Sequence, residues 1–228
     1  MRLIDADRQA KLVGSPVFRY DDQPRHFIDA TMWVWTDRGR PVAFEKIEAM
    51  RQNEPAWGYC FTSVAEGLIE AQLAGGRRFR ATAPGVVFRP LADAPTASPR
   101  AAERKRQARK LVRDFAARIL TDDRTNTTEA MRLLPTPIYE YSDPDSKLFQ
   151  GAIFGFATSG TNPDLLILIE PRDDDGQTRW HYAIARMTCG GVTLKFRDQV
   201  IWEVDFLPPQ PTDLSNWTFF YTLLEETP

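Results

Sequence analysis

Cysteine is scarce in this chain of 228 residues: Cys60 and Cys189 are the only two. A disulfide framework needs paired cysteines in an oxidising compartment. The two thiols therefore read as separate, small, buried side chains. Histidine is as scarce, and His26 and His181 lack the spacing of a zinc site with either thiol. No metal and no cofactor is expected. No apolar run approaches the roughly 20 residues of a membrane span, and residues 1–14 contain no central apolar segment of the secretory kind. A cytoplasmic protein without membrane contact is the default expectation. A dominant charge is missing too. The 29 Lys and Arg against 31 Asp and Glu leave a net −2, which speaks against a nucleic-acid binder acting through its whole surface. There is no G-x-S-x-G, phosphate-binding loop, H-E-x-x-H or dinucleotide fingerprint.

What is present is self-similarity. Thr136 to Glu170 repeats the layout of Ser15 to Glu48. Each copy opens on Ser/Thr-Pro and runs through a short aromatic strand ending in Tyr20 or Tyr141, then an Asp- and Pro-containing loop. A longer strand follows, carrying Trp33 and Trp35 in one copy and Phe154 and Phe156 in the other. Each then turns through Gly39 or Gly160 and Pro41 or Pro163 into a strand ending in Glu48 or Glu170. Trp57-Gly-Tyr59 falls against Trp180-His-Tyr182, and Phe79 against Trp202. Two copies are too few for a solenoid. The reading is a mainly β (α+β) protein: two pseudo-symmetric antiparallel modules from an internal duplication, joined by one long amphipathic helix.

The expected division is a polar lead-in at 1–14, a first module at 15–91, a linker and helix at 92–135, a second module at 136–206, and a tail at 207–228 docking on the body. Residues 42–52 fit a helix by spacing and a strand by their counterpart LLILIE. The repeat favours a strand from Val42 to about Glu48. Residues 64–73 stay open between helix and hairpin. Ser98 before Pro99 predicts a helix start and a helix to about Leu120, with Ala108, Leu111, Phe115 and Ile119 as its apolar stripe.

Five features are candidates for function. The rings of Trp33 and Trp35 could stack a ligand, but their interchange with Phe marks them as core. The basic helix face, with Arg104, Lys105, Arg109, Lys110 and Arg113, is the one surface suited to a polyanion. It also suits a solvated face or one neutralised by the acidic tail. Asp37, Arg38 and Arg40 at the first hairpin stand where the second copy has Ser159, Thr161 and Asn162, so they are candidates to grip a carboxylate or phosphate. His181, with Glu170 and Arg186, is a weak catalytic set built on a general base. Glu48 and Glu170 occupy equivalent positions and could pair across a pseudo-twofold axis.

The strings WTDRGRP (35–41), GVVFRPL (85–91), LLPTPIYEY (133–141), FGFATSGTNPDLLILIE (154–170) and YAIARMT (182–188) belong together. On them the chain resembles a family of uncharacterised bacterial proteins associated with planctomycetes, a likeness that implies no activity and no site residues. The strand-DxGRP-strand hairpin is also similar to a turn of flavin-binding split barrels. The expected function is non-catalytic binding of an unknown protein or small-molecule partner. The alternative is a small-molecule enzyme, a hydrolase or flavin-dependent protein, with its site between the modules.

Overall fold

A computed structural model of the chain describes residues 1–51, 55–143 and 148–223. The middle of the loop expected after Tyr141 and the last five residues of the tail lie outside these. The chain is mostly antiparallel β with one α-helix. The first half carries β1 (Arg2–Leu3), β2 (Arg8–Gln9), β3 (Lys11–Leu12), β4 (Phe18–Asp22), β5 (Phe27–Asp37), β6 (Arg40–Met50), β7 (Ala56–Ser63), β8 (Ile69–Gln72), β9 (Arg78–Arg80) and β10 (Arg89–Pro90). Helix α1 (Ala101–Leu111) follows. The second half carries β11 (Phe115–Asp122), β12 (Thr127–Leu133), β13 (Tyr139–Asp143), β14 (Leu148–Ala157), β15 (Leu165–Asp174), β16 (Gln177–Arg186), β17 (Gly191–Phe196), β18 (Gln199–Val204), β19 (Thr212–Asp213) and β20 (Trp217–Leu223).

Three differences from the sequence reading have plain causes. The polar lead-in is three short strands, because Met1, Leu3 and Ala10 cover apolar surface on the first-half sheet. The long helix stops at Leu111 and gives way, after one 3-10 turn, to β11. Phe115 and Ile119 are a helical four apart, but Phe115, Ala117 and Ile119 are buried while Ala116 and Arg118 are exposed. That alternation of period two is a strand's, and β12 and β17 pair with it on either side. Ser98 does not cap the helix either. Its hydroxyl accepts from Arg100 N, and Arg100 holds the N-cap position. The open segments resolve as strands, with β6 covering 42–48 and β8 lying in 64–73.

Two large sheets face each other across one core. Met32, Val34, Phe44 and Cys60 from the first half meet Ile153, Leu166, Leu168 and Ala185 from the second. Each sheet buries its other face separately. Phe154 and Phe156 lie under α1 and β11 in the second half. In the first half, the four-stranded sheet β2-β1-β8-β9 covers Phe61 and half of Trp35. Trp33 and Trp35 therefore point away from the shared interior and are only half-buried. The fully buried side chains of β5 are Met32 and Val34, because a strand sends successive residues to opposite faces.

Registers coincide between halves. The β4–β5 pairs Phe18–Met32, Tyr20–Ala30 and Asp22–Phe27, with a bulge after Tyr20, match Tyr139–Ile153, Tyr141–Gly151 and Asp143–Leu148, with a bulge after Tyr141. The β6–β7 pairs Lys46–Cys60 and Glu48–Gly58 match Leu168–Ala183 and Glu170–His181. The connections cross over. β10, which ends the first half, pairs with β16, and β20, which ends the second, pairs with β7.

Candidate functional site

The site lies where the halves meet, and two close approaches fix the joint. Gly39 has φ +88 and Gly160 has φ +50. A Cβ on Gly39 would lie 2.5 Å from the Ser142 carbonyl oxygen, and one on Gly160 would lie 2.4 Å from the Asp21 carbonyl oxygen. Each half thus lays a hairpin glycine on the other's backbone just after the aromatic strand, where only glycine combines that φ with that space.

Two carboxylates, each paired with a tyrosine, stand at this joint. Tyr20 donates to Glu48 Oε1 at 2.7 Å, and Tyr141 donates to Glu170 Oε2 at 2.5 Å. All four are buried. Burial first, and the adjacent carboxylate second, push both phenols well above the ordinary tyrosine value. The two ends then diverge.

Around Glu170 two guanidinium groups crowd the carboxylate. Arg40 Nη2 and Arg172 Nε both donate to Oε1, at 2.7 and 2.6 Å. Arg172 also grips Glu66 through two nitrogens, at 2.8 and 2.6 Å, and its guanidinium lies 3.8 Å from the Phe88 ring centroid. Burial opposes ionisation of Arg172 and Glu66. Their mutual bonds prevail, so the guanidinium rises above its usual value and the carboxyl falls below its own.

Around Glu48 the space is open. Lys46, 3% exposed, lies 3.4 Å from Glu48 Oε1 and donates to Asn162 Oδ1 at 2.8 Å. Arg25 donates two bonds to Asp164, at 2.7 and 3.2 Å, and a third to Asp22. Burial works against the Arg25 charge, but the two carboxylates outweigh it and raise its pKa. Beside this polar floor is a cavity of about 210 Å³ walled by Phe27, Ile119, Met187, Leu207, Trp217 and Phe219. Cys60 and Cys189 both line it. Burial pushes the Cys60 thiol up to about 12 and Cys189 to about 11. At neutral pH neither is a thiolate nucleophile.

Of the residues singled out from sequence, Arg40, Glu170 and His181 come together, with His181 opposite Glu170 in the β15–β16 register. Arg186 does not join them. It donates to the carbonyls of Thr188, Cys189, Gly190 and Asp205 and so holds a turn. His181 Nδ1 lies 3.2 Å from the Arg179 carbonyl oxygen. Asp37 is tied to Arg8, Arg38 is exposed at the hairpin tip, and Arg40 reaches Glu170. On α1, Arg104 is buried and donates to the Ser98 and Pro99 carbonyls. Lys105 pairs with Glu140, and Arg109, Lys110 and Arg113 are exposed. Glu48 and Glu170 sit in separate clusters. Lys46, Asp22, Asp164 and Arg25 escaped the sequence reading. A lysine inside a strand (VAFEKIE) and an aspartate immediately before an apolar one (NPDLLILIE) were the available signal. Among the described residues no group of His, Cys, Asp and Glu could hold a metal ion, and no helix is long and apolar enough to cross a membrane. No family model, curated protein or solved structure matches the chain.

Proposed function

We propose that the chain is a non-catalytic binding protein built from two copies of one β module, with the cavity beside Glu48 as its small-molecule site. The observation that carries this reading is the contrast between the two Tyr–Glu pairs. One is sealed by Arg40, Arg172 and Phe88, while the other borders about 210 Å³ of space. Duplication is supported by the coincident registers, the reciprocal glycine contacts and the crossed terminal strands. After a duplication one copy is free to keep a ligand site while the other becomes structural.

Binding rather than catalysis is supported by the state of the polar groups. Lys46, Arg25 and Asp164 are each engaged by partners, and both thiols are held protonated. A pocket with mostly apolar walls and a few fixed polar groups is the usual form of a small-molecule site. The exposed positions of α1 remain a secondary surface for anions.

Saturation-transfer NMR with indole tests the reading, since Trp217 and Phe219 line the cavity. Transfer to indole is expected for the native chain and is lost in Leu207→Trp, which fills the space. Absence of transfer, or its persistence in the filled variant, overturns the reading.

A further inference from the structure

The sealed end of the joint serves as a template for what the open end would hold. At the sealed end, Arg172 stacks its guanidinium on Phe88 and donates to Glu170. By register, Met50 stands on β6 where Arg172 stands on β15, since Met50 pairs with Ala56 and Arg172 with Arg179. Gly58 stands where His181 stands, opposite the carboxylate. Phe219 belongs to the strand flanking β7, as Phe88 immediately precedes the strand flanking β16. The ring and the carboxylate are therefore retained at the open end, and the cation between them is not.

Charge and hydrogen bonding point the same way. At the sealed end Arg40 and Arg172 balance Glu66 and Glu170. At the open end Arg25 and Lys46 face Asp22, Asp164 and Glu48, so among the described residues one formal negative charge is uncompensated. All three carboxylates are at most 2% exposed, and an unbalanced buried charge is costly. Glu48 Oε1 takes Tyr20, Lys46 and Asn162. Oε2 lies over Gly58 beside the Met50 sulfur, these atoms being 3.6 and 2.9 Å from where a Gly58 Cβ would stand, and among the described residues it receives no hydrogen bond.

We infer that the ligand of this cavity is a planar cation, a guanidinium or amidinium on a compact apolar body. Its N–H groups donate to the Glu48 carboxylate, its face lies on Phe219, and its body runs along Phe27, Ile119 and Leu207, all of which line the cavity. This rests on the binding reading and names the ligand's chemistry. Stacking on an aromatic face and donation to a carboxylate are the two interactions a guanidinium makes best.

Calorimetric titration of the intact chain with phenylguanidine and with phenylurea, its neutral near-isostere, provides the test. Phenylguanidine is expected to bind at least tenfold more tightly. Glu48→Gln erases that preference. Met50→Arg supplies the guanidinium from within, abolishes phenylguanidine binding and leaves the far-UV circular dichroism unchanged. Equal affinity for the two compounds, or a preference that survives in both variants, overturns the cation assignment and leaves the binding reading standing. Heat from neither compound, together with no transfer to indole, overturns both.

Discussion

Tyr141 donates to Glu170 Oε2 at 2.5 Å and, among the described residues, is the sole donor to that oxygen. At the other end Tyr20 shares Glu48 Oε1 with Lys46 and Asn162. The same phenol deletion should therefore cost different amounts. Tyr141→Phe strands a buried carboxylate oxygen and should cost about 2 kcal/mol. Tyr20→Phe leaves two partners in place and should cost about 1 kcal/mol. Denaturant midpoints of the two variants at constant slope check the order.

The hairpin glycines should be the least replaceable residues of the joint. Gly39→Ala and Gly160→Ala each combine a positive φ with a backbone carbonyl 2.4–2.5 Å from the new carbon. Each should lose about 3 kcal/mol. Gly176→Ala, at φ +78 but with open space around it, should lose only about 1 kcal/mol, the left-handed penalty alone. Thermal melts of the three variants separate backbone strain from collision.

Alkali should unfold the protein from within. Cys60, Cys189, Tyr20 and Tyr141 all have folded-state pKa values raised by burial. For a raised pKa, the stabilisation is fully present below the unfolded value and is lost as pH climbs through the folded one. The window opens at the ordinary thiol value of 9.0 and runs to about 12. Stability should stay level at neutral pH and fall above pH 9. Absorbance at 295 nm should show Tyr20 and Tyr141 ionising only as the chain unfolds.

Glu45 offers a pH effect of different origin. It is 7% exposed, among the described residues its Oε1 lacks a partner, and desolvation lifts its carboxyl from 4.5 to about 7. The protonated form favours folding. That contribution is present below pH 4.5 and lost as pH rises through 7. Glu45→Gln should stabilise the protein by about 2 kcal/mol above pH 7 and by nothing below pH 4.5. Melting temperatures of both proteins across that range measure it.

The β class was legible because alternation and turn residues agree along most strands. At β5–β6 and β15–β16 the tips Arg38-Gly39 and Asp175-Gly176 take the positive φ values of a two-residue hairpin turn. The helix boundary was not legible. Phe115 and Ile119 satisfy a helical spacing and a strand alternation at once, and only the pairing of β11 with β12 and β17 decides between them. The face of Trp33 and Trp35 was misread for a related reason. Both faces of β5 are apolar, so ring size gave no direction. The Glu170–Arg40 contact spans 130 residues, a separation at which spacing carries no information. Glu48 and Glu170 could be placed at matching positions from sequence, but the cavity beside Glu48 is walled by Ile119, Leu207 and Trp217, residues 71 or more positions away in the chain that a linear reading does not bring to it.

The crossing of β10 and β20 has a consequence for biosynthesis. While the ribosome is still extending the nascent polypeptide, the rim of Ala56–Ser63 has no neighbour on one side, because the segment that covers it, Trp217–Leu223, is made long after it. An uncovered rim of this kind recruits stray strands from other molecules. Truncation before Trp217 should therefore yield aggregate rather than a smaller soluble domain, and productive folding of the first half waits until that segment has been made.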